Sequence, residues 1–154
     1  MPISNLFLNP AFSQDKKLTD KAANFQQLID ELNKKEIPEP IATSINNDID
    51  ALNGFSGSTR DMLSLYTKKQ ATILKTLEKE LKLVPKNHYR NLWLALGMSA
   101  FGLPIGVAFG ISMGNLGLLG IGLPIGLGIG VVLGTSLDKK AKDAGKQIDV
   151  ELKY

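Results

Sequence analysis

The chain has 154 residues, enough for one domain of ordinary size, and a formal net charge of +3. Its lysine pairs are balanced by acidic residues, which argues against nucleic-acid binding, and its lack of cysteine fits a reducing compartment. Charged residues make up 21% and hydrophobic residues 44% of the chain, as in a soluble protein. However, no Asp, Glu, Lys or Arg lies between Arg90 and Asp138, and most of the 15 glycines lie between Gly97 and Gly134. The two parts of the chain are therefore expected to contact different solvents.

Residues 1–88 are predicted to form a cytoplasmic helical domain. Two apolar stripes with steps of three and four residues indicate two amphipathic helices. The stripes comprise Leu18, Ala22, Phe25, Ile29 and Leu32, and then Ile41, Ile45, Ile49 and Leu52. The segment IPEP ends the first helix, and Pro40 is well placed to begin the second.

A third helix is predicted after the segment GFSGS. Ser58 and Asp61 have the spacing of a capping box at its start, and Pro85 marks its end. Its apolar seam consists of Leu74, Leu77, Leu81 and Val84. Three helices of this size predict a small bundle, or coiled coils between subunits.

Residues 89–137 are predicted to form a transmembrane hairpin. About 20 apolar residues cross a bilayer as a helix, and the uncharged stretch accommodates two spans, at about 92–113 and 116–137. Gly114 and Asn115 form a natural turn between them. The alternative is a buried helical hairpin in a soluble core, as in the soluble forms of pore-forming toxins. The remaining chain is small and polar, which favours the membrane.

Glycine recurs at every fourth position in both predicted spans. The two stripes consist of Gly102, Gly106, Gly110 and Gly114, and of Gly122, Gly126, Gly130 and Gly134. In lipid, small residues let helix backbones approach closely, so both stripes are predicted to pack against helices. Gly117, Gly120 and Gly128 lie roughly opposite the main stripe of the second span. We therefore expect this span to lie between its hairpin partner and a helix of another subunit or of another protein, and we predict a homo-oligomer.

A proline interrupts each span, within the repeated sequence GLPIG. Pro104 and Pro124 each remove a helical hydrogen bond and free the carbonyl four residues earlier, at Ala100 and Gly120. One interpretation is a kinked helix that offers carbonyls to ions in a pore. The other is a kink that serves packing alone.

Basic residues flank the hairpin on both sides and are absent from its turn. The positive-inside rule then places both termini in the cytoplasm, with a basic cytoplasmic tail at 138–154. The residues predicted at the membrane interface are Tyr89, Arg90, Trp93, Lys139 and Lys140. The basic flanks are expected to touch anionic lipid headgroups, and the predicted location is a bacterial inner membrane.

Catalytic and metal-binding patterns are weak. The sole histidine, His88, lies beside the predicted membrane boundary, and DIDALNG departs from the spacing of a calcium loop. We therefore predict no enzyme activity, no cofactor and no metal site.

Residues 79–146 resemble a group of small bacterial glycine-zipper membrane proteins. The shared features are the repeated GLPIG core, the basic and aromatic run KNHYRNLW before it, and LDKKA after it. The resemblance implies a membrane location and a hairpin, and no particular activity. The plan of a cytoplasmic helical domain with two spans is also similar to the CorA magnesium channels. That likeness is architectural only, because Met113, Gly114 and Asn115 do not reproduce the Gly-Met-Asn order of that family.

Two functional hypotheses follow from these predictions. The first is a homo-oligomeric ion channel or pore lined by the second span. Its candidate pore residues are Ser112 and Asn115 at the external mouth, Gly120 through its freed carbonyl, and Thr135 and Ser136 at the cytoplasmic mouth. The second is a membrane anchor, scaffold or accessory subunit that recruits a protein partner through its cytoplasmic helices.

Overall fold

The computed structural model describes residues 1–7 and 10–152 of the chain. Within them the protein is mostly helical, and it divides into two compact units. The helical unit comprises residues 1–85 with the described part of 148–154, and the hairpin unit comprises residues 86–147.

Three helices form the helical unit: α1 (Lys16–Asn33), α2 (Glu39–Asn53) and α3 (Thr59–Thr76). α1 and α3 begin with a side-chain cap, whereas α2 has a proline, Pro40, in its first turn. The Asp15 carboxylate accepts a hydrogen bond from the Leu18 amide at 3.0 Å, and the Ser58 hydroxyl accepts one from the Asp61 amide at 3.2 Å. The predicted cap at Ser58 is thus confirmed.

The apolar stripes of the three helices meet in one core. Its largest fully buried side chains are Leu18, Phe25, Leu28, Ile29, Leu32, Ile45, Ile49, Leu52, Met62, Tyr66, Ile73 and Leu77. At its centre the rings of Phe25 and Tyr66 lie perpendicular, with centroids 5.9 Å apart. An ion pair between the Lys69 ammonium and the Asp48 carboxylate, at 2.6 Å, joins α3 to α2.

The third helix ends differently from the prediction. Its α-helical part stops at Thr76, and a wider π-helical turn continues over Leu77–Leu81. Lys82 then adopts a left-handed conformation, with φ of 57°, and β1 (Val84–Pro85) follows. Val84 is consequently a strand residue, although it is buried as the apolar seam requires.

The chain returns to the helical unit after the hairpin. β2 (Gln147–Ile148) pairs with β1 in a two-stranded sheet, and Ile148, Val150 and Leu152 are buried in the core of the helical unit. The stretch 138–154, predicted as a basic tail, is thus divided between the two units, and its alternating apolar residues from Ile148 onwards supply a buried face. Residues 153 and 154 lie outside the described residues.

The hairpin unit consists of two helical rods. The first contains α4 (His88–Gly97), a π-helical turn (Met98–Gly102) and α5 (Leu103–Ser112). The second contains a 3-10 turn (Leu116–Leu118) and α6 (Leu119–Asp143). By length and composition, both rods are long and apolar enough to cross a membrane. The first begins a turn earlier than predicted, and the second continues past Leu137 into its basic end.

Candidate functional site: the glycine hairpin

The two glycine stripes face each other along a seam between the rods. Gly102 lies against Gly122, and Gly126 lies against Gly97 and Gly102. A methyl group added at Gly126 would sit 2.6 Å from the Gly102 Cα, and one added at Gly122 would sit 2.7 Å from the Gly106 Cα. Both distances are far below van der Waals contact, so the rods touch through their backbones.

The seam extends beyond the glycines that the sequence pattern indicated. Gly97, outside the four-residue spacing, is buried against Gly126 and Gly130. Gly97 lies five residues before Gly102, one more than the spacing of the stripe. The π-helical turn at Met98–Gly102 lies between them and accommodates this extra residue, so that Gly97 also faces the seam. Gly130 and Gly134 in turn lie against the backbones of Trp93 and Arg90.

At the closed end of the hairpin the glycines have other roles. Gly110 makes ordinary contact with Asn115 and Leu116 across the turn. Gly114 is exposed, has φ of +62° and contacts nothing within 4 Å of its missing side chain. It therefore serves the turn, which requires a left-handed residue, and lies outside the helix seam.

Asp138 closes the open end of the hairpin. Its two carboxylate oxygens accept hydrogen bonds from the Tyr89 amide at 3.0 Å and the Arg90 amide at 2.9 Å. These amides belong to the first turn of α4, whose preceding residue Asn87 makes no side-chain cap. The carboxylate, only 7% exposed, thus satisfies two amides that would otherwise lack acceptors, and its charge faces the positive end of the helix dipole.

The sequence analysis did not identify Asp138 as a site residue. The available signal was that it is the first acidic residue after the uncharged stretch, one seam period beyond Gly134. Continuing the four-residue spacing from Gly134 would have placed it on the buried face.

The outer surface of the hairpin is apolar. Large side chains point away from the seam, with Leu103 53%, Val132 65% and Ile111 71% exposed. In the most apolar 18-residue stretch of each rod, the buried share is only 22% in the first rod and 17% in the second. The hairpin thus buries glycine and exposes Leu, Ile, Val and Phe, which is the reverse of a water-soluble fold.

α6 also has a second small-residue face, opposite the seam. Gly120, Pro124 and Gly128 follow one another at intervals of four residues on this outer face, and Gly117 precedes them in the 3-10 turn; all four are exposed. Side chains built at Gly120 and Gly128 would meet nothing within 4 Å. Pro124 has no amide hydrogen, so the Gly120 carbonyl loses its α-helical donor on this same face.

The two prolines have different surroundings. Pro104 lies in the first turn of α5, directly after the π-helical turn, whereas Pro124 lies within the unbroken α6. Because Gly102 faces Gly122 and Gly106 faces Leu119, Pro104 and Pro124 are offset by roughly three residues, or about 4.5 Å along the axis. Pro124 thus lies at the level of the π-helical turn.

The candidate pore residues are exposed but dispersed. The Asn115 side chain accepts a hydrogen bond from the Gly117 amide at 2.9 Å and so caps the 3-10 turn. The Thr135 hydroxyl donates to the Val131 carbonyl of its own helix at 2.7 Å. Ser112 and Ser136 are exposed at opposite ends of the hairpin. The structure of one chain does not bring these four residues together.

The predicted interface residues lie at the open end. Tyr89 and Trp93 are half-buried, and Arg90, Lys139 and Lys140 are exposed. A cavity of about 260 Å³ opens here between the rods. It is lined by Lys86, Asn87, Thr135, Asp138, Lys139, Lys142 and Gln147. Its one carboxylate is engaged by amides, so the lysines determine its positive character.

Metal-ligand chemistry has no visible basis in the described part of the chain, where no three His, Cys, Asp or Glu side chains lie close enough together to hold an ion. Comparison with protein-family models, with curated proteins and with solved structures finds no match.

Proposed function

We propose that this chain is a self-assembling membrane protein whose hairpin crosses a bacterial inner membrane. The observation that carries this proposal is the reversed burial of the hairpin unit, with backbone glycines inside and large apolar side chains outside. In water this surface would be strongly unfavourable, at about 25 cal/mol per Å² of exposed apolar area. In a bilayer it is solvated by lipid, while the close backbone approach supplies the dispersion contacts that hold helices together there.

The charges support an orientation with both termini in the cytoplasm. Lys86, Lys139 and Lys142 surround the open end of the hairpin, whereas its turn at 113–116 has no charged residue. Basic residues remain on the cytoplasmic side and attract anionic lipid headgroups. The helical unit would then lie in the cytoplasm, as a module that the hairpin tethers to the membrane.

The outer face of α6 supports assembly into a homo-oligomer. Side chains built at Gly120 and Gly128 would meet nothing within 4 Å in the described part of the chain, and Pro124 removes the α-helical donor of the Gly120 carbonyl. An unsatisfied carbonyl facing hydrocarbon costs several kcal/mol, so a helix from another copy, or water inside an assembly, is needed beside it.

The assembly is tested by Gly128→Leu, which fills the outer face without reaching the seam. We expect this variant to lose its oligomers, because a leucine side chain prevents close approach of a second backbone. Mass measurement and crosslinking in mild detergent and in lipid nanodiscs provide the readout. The matched control is Ala108→Leu, which makes a similar enlargement at an exposed position of α5. A wild-type chain that is monomeric in both media contradicts the proposal.

A second candidate function, an ion channel, is favoured by one observation. Gly120 and Pro124 are exposed on the outer α6 face, which would surround the axis of an oligomer. If the Gly120 carbonyl coordinates ions there, Pro124→Ala should alter flux from proteoliposomes by restoring its helical donor, whereas Pro104→Ala should not. Unchanged oligomers with no flux from any protein would favour the anchor over the channel.

A further inference from the structure

Residues 1–7 lie along the helical unit and are held by amide side chains of α1 and α2. The Ile3 amide donates to the Asn33 Oδ1 at 2.8 Å, and the Asn33 Nδ2 donates back to the Ile3 carbonyl at 3.1 Å. On the other wall, Asn46 accepts from the Ser4 amide at 2.8 Å and donates to the Pro2 carbonyl at 3.2 Å. The segment thus lies in a groove, the amide groove, walled by Gln26, Asn33, Asn46 and Asn53.

The same arrangement is repeated one step further along the segment. Asn53 accepts from the Phe7 amide at 2.8 Å and donates to the Asn5 carbonyl at 3.2 Å. On the α1 wall, Gln26 accepts from the Leu6 amide at 3.0 Å. Asn46 therefore binds the backbone on both sides of Ile3, and Asn53 binds it on both sides of Leu6.

The repeat matches helical and extended geometry. Asn46 and Asn53 are seven residues apart in α2, which is about 10.5 Å along a helix. Their acceptors bind the amides of Ser4 and Phe7, three residues apart, which span about 10 Å when the chain is extended. Gln26 and Asn33 have the same seven-residue separation on the opposite wall and bind Leu6 and Ile3. On each wall, side chains seven residues apart in the helix therefore bind backbone amides three residues apart in the segment.

The contacts depend little on the sequence of the segment. The seven hydrogen bonds described above all involve its backbone. Among the described residues, only two bonds reach its side chains, from Gln26 Nε2 to Asn5 Oδ1 at 3.3 Å and from Thr43 Oγ1 to Met1 Sδ at 4.0 Å. Two of its side chains face the core. Ile3 is 4% exposed and Leu6 packs against the core cluster, whereas Ser4, Asn5 and Phe7 are exposed. The segment does not fill the groove completely. A cavity of about 440 Å³ remains beside Met1, Pro2 and Ile3 and extends to Ile37.

We propose that the amide groove is a binding site for an extended, uncharged peptide segment of a partner protein, with apolar residues three positions apart. Residues 1–7 are its intramolecular occupant and compete with the partner. A partner segment that reproduces the two apolar anchors and extends into the cavity at Met1 would make every backbone contact of the resident segment and bury additional surface. This site is independent of the membrane topology and of the assembly of the hairpin.

The test uses the full-length protein in mild detergent and a fluorescent peptide with the sequence MPISNLF. Ile3→Asp combined with Leu6→Asp should release the resident segment and open the groove, because both anchors become charged. We expect saturable peptide binding to this opened variant and at least tenfold weaker binding to the wild type. The difference arises because a tethered competitor acts at an effective concentration in the millimolar range.

Two controls separate recognition by the amides from hydrophobic adhesion. A peptide N-methylated at Ile3 and Leu6 keeps every side chain but loses two donors, and should bind the opened variant about tenfold or more weakly. Asn46→Ala in the opened variant should weaken the unmodified peptide several-fold. Asn47→Ala, at an exposed position beside it, should have no effect.

The proposal is overturned if the opened variant, with its helicity intact, binds no peptide. It is equally overturned if the N-methylated and unmodified peptides bind alike. If the double substitution lowers the helicity, the same titrations use Ser4→Pro, which removes only the donor to Asn46. That variant should bind the peptide more tightly than the wild type, because its resident segment is held less firmly, and equal affinity of the two proteins also overturns the proposal.

Discussion

Asp138 is the residue on which the open end of the hairpin depends. Its carboxylate bonds two amides of α4 from a different helix, and it lies almost fully buried where lysines dominate the surface. A helix start without acceptors is unfavourable, and more so where water is scarce.

Asp138→Ala should therefore destabilise the hairpin by about 1–3 kcal/mol, the usual cost of leaving buried donors unsatisfied. The measurement is unfolding in mixed micelles with increasing SDS, followed by circular dichroism. Asp143→Ala removes the same charge from an exposed position of the same helix and should change stability little. Equal losses in the two variants would show that Asp138 acts through charge alone.

Tyr66 presents the opposite situation, a buried hydroxyl with no hydrogen-bond partner among the described residues. Its Oη makes no hydrogen bond to any part of the chain that the structure describes, and burial raises the pKa of Tyr66 to about 12. In the unfolded chain the phenol ionises near 10. The stability associated with the neutral phenol is thus complete below pH 10 and is lost as the pH rises to 12.

Tyr66→Phe should stabilise the helical unit by about 1 kcal/mol at neutral pH, because the unpaired hydroxyl is removed. Between pH 10 and 12 its advantage over the wild type should grow by up to about 3 kcal/mol. Chemical unfolding curves of both proteins across this range provide the measurement, and their difference cancels the ionisation of lysines. A difference that is constant with pH would contradict the assigned cause.

At the scale of elements, the inner and outer glycines of α6 differ sharply. A methyl group at Gly126 would overlap the backbone at Gly102, whereas one at Gly128 would enter open space. The same helix therefore has one face that tolerates no side chain and another that accepts one within the monomer.

Gly126→Ala should weaken the hairpin by about 1–3 kcal/mol, the typical cost of overpacking a tight interface. Gly128→Ala should leave the hairpin fold unchanged or slightly more stable, since alanine favours helix. SDS titration of the two variants under identical conditions compares them. Equal stability would mean that the rods do not contact each other through their backbones.

The elements differ in how far sequence alone predicts them. The stripes from Leu18 to Leu32 and from Ile45 to Leu52 predict buried helix faces, because periodicity records which side of a helix meets the core. No periodicity in the sequence indicates the π-helical turn at Met98–Gly102. Gly97 therefore does not fit the four-residue spacing of the glycines, although it lies on the seam. Asp138 and the amide groove were missed for a related reason. Their partners are distant in sequence, and nothing in local periodicity identifies them.

At the scale of the whole molecule, the proposed orientation makes a prediction about accessibility. The chain has no cysteine, so each introduced thiol reports one position. A cysteine at Asn115, exposed in the turn, should react with a membrane-impermeant thiol reagent added to intact cells. Cysteines at Lys68 and Lys142, also exposed, should react only after lysis. Lys68 is preferable to Lys69, whose ammonium pairs with Asp48. The reverse labelling pattern would contradict the orientation.

The return of residues 148–152 to the helical unit has a consequence for biosynthesis. A ribosome completes α1, α2 and α3 first, but Ile148, Val150 and Leu152, which finish their core, emerge only after the hairpin. A nascent chain paused within the hairpin thus exposes an apolar patch on a nearly folded module. The core of the part of the protein that is made first is therefore completed only when the last-made residues have been synthesised.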